Sequence, residues 1–177
     1  MTEPEITSSP EPDCRFCDVR KDHELLGLAL VRVLVPQRPH ISPRDGGHLL
    51  VVPRRHVRDR SRLTPAEVLG LEYASLVAAL GLTQTLGTEW FNYQENGNWS
   101  VENADAHMHL HVYGRARRAV TQPYGEALRF PTRSELPKWE PPKLSEHEVT
   151  ALRQALERGC LNPDLTELRA AMNALAP

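Results

Sequence analysis

The chain has no apolar run long enough to cross a bilayer. Its most apolar stretch, Leu25 to Val35, is short and broken by Arg32. It also has no surplus of charge: 21 Lys and Arg stand against 23 Asp and Glu, a net charge of −2. That balance excludes a nucleic-acid coat and a basic membrane-surface binder, so neither nucleic acid nor membrane is expected as a partner. Cysteine is scarce too. Three residues, an odd number with two in a tight pair, do not make a secreted disulfide framework. Met1 to Asp13 is acidic and rich in Ser and Pro, and it lacks the apolar core of a signal peptide. Residues 1–12 are therefore expected to be disordered and the protein to be cytoplasmic. No internal repeat is present, and 177 residues suit one domain with appendages.

What the chain does have is a row of histidines, His107-Met108-His109-Leu110-His111-Val112-Tyr113. Imidazoles alternate with apolar side chains, the period of a β-strand with one greasy face and one imidazole face. Residues two apart on a strand point the same way, roughly 6.5–7 Å from each other. Three groups able to act as nucleophile, proton carrier, phosphate donor or metal ligand would line one wall of a site. A helix would scatter them.

The surrounding pattern is α+β. Strands are expected at Leu28–Val35, His48–Val52, Glu89–Glu95 and Ala106–Tyr113, with a loop or broad turn over Pro36–Gly47. Thr64-Pro65-Ala66-Glu67 is a capping box opening a long helix that stops at Gly87, with Leu69, Tyr73, Leu76 and Leu80 as its apolar stripe. This order predicts an antiparallel sheet with a helix laid across it. Arg115, Arg117 and Arg118 read as a solvated strand end, and residues 119–144, rich in proline, as a linker. Ser145-Glu146-His147-Glu148 and Asn162-Pro163 open two further helices. The tail, 145–177, is thus a helical hairpin that packs on the domain or covers a partner.

Cys14-Arg15-Phe16-Cys17 has the spacing of a metal knuckle, against which stand an incidental pair of thiols and a redox motif. Tetrahedral zinc would need two more ligands. His56, just beyond the second strand, and a member of the histidine row are the candidates. Cys160 sits alone in the tail.

Three blocks of residues resemble the histidine-triad (HIT) family of nucleotide hydrolases and transferases: Cys14-x-Phe16-Cys17, the stretch Gly47-His48-Leu49-Leu50-Val51-Val52-Pro53-Arg54-Arg55-His56, and His107-x-His109-x-His111. They cover about residues 14–115, placing a HIT-like catalytic domain at 13–118. The resemblance implies an antiparallel sheet of about five strands with a long helix packed on it. It implies His109 as the nucleophile attacking an α-phosphorus to give a nucleotidyl-histidine, and His111 as donor to the phosphate. From the zinc-containing branch it implies a structural zinc on Cys14, Cys17, His56 and His107. Asn96 matches a polar residue that contacts phosphate or ribose. A homodimer and a nucleotide substrate are likewise implied, without an organic cofactor.

The resemblance is incomplete. A Gly-Gln-Ser/Thr-Val segment usual before the histidines is here Glu102-Asn103-Ala104-Asp105-Ala106. Asn103 stands where the glutamine would bind substrate, the hydroxyl position is Ala104, and Asp105 either orients an imidazole or faces solvent. The sugar-1-phosphate nucleotidyltransferase branch carries glutamine at the third position of the row, so His111 favours hydrolysis. The leading expectation is a phosphohydrolase or nucleotidyl transferase for dinucleoside polyphosphates, nucleoside phosphoramidates or similar molecules. The alternative is a nucleotide-binding or sensing module with weak turnover. A metalloenzyme using all three histidines ranks last, because a straight strand separates the outer two by about 13–14 Å.

Overall fold

The computed structural model describes residues 14–19, 23–96, 106–132, 134–135 and 138–175. The expectations for residues 1–12 and for Asn103, Ala104 and Asp105 fall outside them.

Five antiparallel strands form one sheet: β1 (Glu24–Gly27), β2 (Val31–Leu34), β3 (His48–Pro53), β4 (Trp90–Gln94) and β5 (Leu110–Arg115), in the order β1-β2-β3-β5-β4. The single strand expected at Leu28–Val35 is instead a hairpin. Leu28 N–H closes on the Val31 carbonyl at 2.9 Å, so Leu28–Leu30 is a turn rather than strand. The histidine strand also begins later than its alternation suggests, at Leu110. Its partner β3 ends at Pro53, which has no N–H to offer the ladder, and the Met108 N–H goes to the Val57 carbonyl at 2.6 Å. His107 and His109 therefore precede the paired strand.

Helix α1 (Pro65–Leu86) opens with the expected box: Thr64 Oγ1 accepts from Glu67 N–H, and the Glu67 carboxylate accepts from Thr64 N–H at 2.8 Å. It ends on Gly87 at φ 63°, the left-handed conformation glycine adopts without a Cβ clash. Buried Glu67 also holds Arg55 at 2.6 Å, tying the segment that carries His56 to the helix.

The expected apolar stripe of α1 is corrected. Leu76 is 40% exposed, whereas Leu71, Ala74, Val77, Ala78 and Leu82 are fully buried. The helix is apolar on more than one side because it lies between the sheet and the tail helices, α2 (Glu146–Gly159) and α3 (Thr166–Leu175). Leu152 and Leu156 of α2 are completely buried in the same core, each stabilising by roughly 1.5–3 kcal/mol. The tail packs on the domain. The expectation that no segment could cross a bilayer is corrected by length and composition: among the described residues α1 alone is long and apolar enough, and most of it is inside the core.

The arginine cluster divides: Arg117 and Arg118 are exposed, as a solvated strand end would have them, and Arg115 is not. Arg115 is buried, donating to the carbonyls of Pro123 and Glu126 at 2.8 Å and to Asn92 Oδ1 at 3.0 Å. Arg118 donates to the Leu86 carbonyl. Buried Asp45 accepts from the N–H groups of Val120 and Thr121 at 2.7 and 3.1 Å. Residues 119–130 are thus strapped along the domain.

Candidate functional site

Alternation sorts β3 and β5 into two faces. Leu49, Val51, Met108, Leu110 and Val112 enter the core with α1, leaving His48, His109, His111 and Tyr113 on the other face. Register then sets neighbours. His48 lies opposite Tyr113 and Leu50 opposite His111, so the imidazole of β3 stands between two rings of β5. This register needs a close backbone approach at its end: a Cβ on Gly114 would lie 2.0 Å from the Gly46 carbonyl oxygen.

At the start of the row, Cys14, Cys17, His56 and His107 bring their donor atoms within 4.8 Å of one another. Cys14 Sγ is 3.4 Å from His107 Nδ1, and Cys17 Sγ is 3.3 Å from His56 Nδ1 and 3.6 Å from His107 Nδ1. Tetrahedral zinc with bonds of about 2.3 Å to sulfur and 2.0 Å to nitrogen sets S···N near 3.5 Å. The donors fit. His107 Nε2–H donates to the Pro53 carbonyl at 3.1 Å, which turns the Nδ1 lone pair toward the thiols. Burial pushes the His107 pKa down to about 4, so the imidazole stays neutral, as a ligand must be. Burial raises the Cys14 thiol. The cluster can bind a metal ion.

The other end is built from hydrogen bonds. The His40 backbone N–H donates to His48 Nδ1 at 3.1 Å, so the neutral His48 ring carries its proton on Nε2. That atom is 2.9 Å from His111 Nδ1, which accepts. Neutral His111 then bears its proton on Nε2, and this atom is buried without a hydrogen-bond partner. Burial, reinforced by the neighbouring imidazoles, keeps both rings neutral; His48 is lowered well below the usual range and His111 to about 2. The result is a donor held ready for an acceptor from outside the chain.

His109 is oriented differently. Its Nδ1–H donates to the His107 carbonyl at 2.8 Å, leaving a lone pair on Nε2. Burial is the main cause of its lowered pKa, opposed by this bond and reinforced by Arg15. The ring lies 4.8 Å from that of His111, tilted by 58°, closer than the spacing of a flat strand. Beside His109 opens a cleft lined by Arg58, Asp59, Arg60 and Glu95.

Asn96 reaches this end indirectly. Its Nδ2 donates to the Tyr113 phenol at 3.3 Å, and the phenol donates to His40 Nδ1 at 2.8 Å. Phe130, from the strapped segment, packs 5.6 Å from both His40 and Tyr113. Burial lowers His40 to about 4. Sequence reasoning missed His40, Tyr113 and Phe130 and gave His48 no role. For His48 a signal existed, its place in the Gly47–His56 block.

Comparison with known proteins adds to this geometry. The sequence pattern of the HIT domain family matches residues 33–118. A Zn-bound histidine triad family protein from Mycobacterium smegmatis is similar in fold, with TM-score 0.60, 22% identity, and 82% of this chain and 94% of that one covered. A hypothetical histidine triad nucleotide-binding protein from Sulfolobus tokodaii strain7 gives TM-score 0.57 at 13% identity, covering 86% of this chain and 93% of that one. A uridylyltransferase gives TM-score 0.52 at 17% identity over 82% of this chain and 45% of its own. No curated protein matches the chain.

Proposed function

The chain belongs to the HIT domain family through residues 33–118, and from that premise we propose that it is a nucleotide phosphohydrolase or nucleotidyl transferase working at an α-phosphate. The observation that carries this reading is the buried His111 Nε2–H without a partner, next to the free Nε2 lone pair of His109. An unpaired buried donor is costly unless a ligand satisfies it, and a phosphate oxygen does so.

In the proposed reaction His109 Nε2 attacks the α-phosphorus and the bond to the leaving group breaks, its electron pair departing with that group. His111 Nε2–H donates to a non-bridging oxygen as charge builds there. Water then attacks the nucleotidyl-histidine, the P–N bond breaks, a nucleoside monophosphate leaves and a proton passes to solvent. Splitting one displacement into two is the gain from a nucleophile that is neutral and unprotonated near pH 7. His48 holds His111 in the required tautomer, as His107 holds His109.

Cys14, Cys17, His56 and His107 would hold zinc as a structural ion, which pins the knuckle and the segment after β3 to the start of the histidine row. Asn96 supports the Tyr113 wall, and Asn103 remains a proposed substrate contact. Free thiols suited to metal favour the reducing cytoplasm. A homodimer through the sheet edge at β4, where Trp90 and Tyr93 are exposed, completes the reading.

The test is incubation with dinucleoside polyphosphates and nucleoside phosphoramidates while nucleoside monophosphate release is measured. Release by the wild type and none by His109→Gly is expected. Micromolar nucleotide binding by calorimetry without any release would leave the binding module in its place.

A further inference from the structure

We infer that Phe16, from inside the Cys14–Cys17 knuckle, is a positioning residue for His109, so that the metal-ligating turn forms one wall of the catalytic site. This rests on His109 acting as the nucleophile.

The knuckle is a tight turn in which the N–H groups of Cys17 and Asp18 both bond the Cys14 carbonyl, at 2.9 and 3.1 Å. With its two sulfurs directed at His56 and His107, the turn sends Phe16 onto the imidazole face of the sheet. There the Phe16 ring lies 4.7 Å from that of His109, tilted by 40°, and 6.0 Å edge-on from His107. It packs on a small apolar cluster of Leu34, Leu50 and Val52, separate from the main core, and Arg15 lies over it at 5.8 Å.

The nucleophile needs such a wall. His109 precedes the first paired residue of β5, so no strand ladder holds its backbone. Its side chain has one hydrogen bond, to a carbonyl two residues away. That bond selects the tautomer and leaves the ring free to swing about it. His111 blocks one direction of swing at 4.8 Å and Phe16 supplies a second contact. In-line attack requires the lone pair held on the phosphorus, where a misplacement near 1 Å costs about a hundredfold in rate.

The test uses full-length zinc-loaded Phe16→Ala, Phe16→Leu and Phe16→Tyr. The nucleotidyl-histidine is trapped by rapid quench, zinc per chain is measured, and the His109 ring is followed by long-range proton–nitrogen NMR. Phe16→Ala should keep its zinc and its KM while the trapping rate falls by about ten- to a hundredfold. Its His109 nitrogen signals should broaden or split. Phe16→Tyr should restore both rate and signals, and Phe16→Leu, which keeps volume without the flat ring, should fall between. A zinc-loaded Phe16→Ala with wild-type trapping rate and an unchanged His109 signal overturns the inference, as does loss of rate only in step with loss of zinc. If the wild type itself forms no nucleotidyl-histidine, the underlying reaction fails instead; the NMR signals then still decide whether Phe16 holds the ring.

Discussion

At one end of the histidine row two sulfurs and two imidazoles converge; at the other, the Tyr113 phenol bonds the His40 ring, the His40 backbone bonds His48, and the His48 ring bonds His111. The two clusters share the histidine row and are each at least partly buried, yet they suit different chemistry. The first offers soft donors whose free lone pairs meet at tetrahedral spacing, with the protons turned outward, as His107 shows by donating to Pro53. In the second, the His40 backbone proton points at the His48 ring and the His48 proton at His111, and the series ends in a donor rather than a lone pair. What each histidine can do is set by the partner of its other nitrogen. The first end suits a cation, and on the proposed reading the second suits a phosphate oxygen.

Replacing the proposed nucleophile, His109, should separate the two ends most sharply. His109→Gly is expected to lower turnover by about ten-thousandfold while zinc content, measured by atomic emission, stays at the wild-type level. Equal loss of zinc would merge the two ends into one. Next in size is His48→Ala, which removes the donor that fixes the His111 tautomer. Turnover should fall by about a hundredfold with metal retained, and His48→Gln, which keeps a side-chain N–H, should recover part of it. The opposite cut, Cys17→Ser, should abolish stoichiometric zinc binding and lower the thermal midpoint by several degrees; calorimetry with and without a chelator measures both. A thermal midpoint unchanged by this substitution would deny the knuckle its clamping role.

The smallest effect concerns pH. His40 is lowered to about 4, mainly by burial, so the folded protein keeps it neutral where the unfolded chain takes up a proton. Its contribution to stability is complete above about pH 6.5 and is lost as pH falls toward about 4. His40→Asn should flatten the dependence of denaturation midpoint on pH across that window. An unchanged slope would show that His40 does not report on the buried chain.

Much of this arrangement was legible in local patterns. Alternation from Met108 to Tyr113 separated the two faces, Thr64-Pro65-Ala66-Glu67 marked the helix start, and Gly87 its end. The spacing of Cys14 and Cys17 suggested a knuckle, and the structure brings His56 and His107 to it. What stayed hidden depends on register and on distant segments. His48 looked like one more strand residue until pairing placed it opposite Tyr113 and against His111. His40 lies in a loop, where no period speaks for a side chain. Arg115 read as solvated because its partners, the carbonyls of Pro123 and Glu126, belong to backbone that composition leaves unplaced. The stripe on α1 held at Tyr73 and in part at Leu69 but failed at Leu76, because a helix covered by sheet and tail has more than one buried side.

The central claim is that one histidine of the row serves the metal-binding end and the next two serve phosphate. Acid-free quenching of the protein with a dinucleoside polyphosphate, followed by peptide mass spectrometry, tests it most directly. A nucleotidyl group on His109, absent from His107 and His111, is the predicted result. The same adduct on His111 or His107, or steady hydrolysis with no adduct on any histidine, would contradict it.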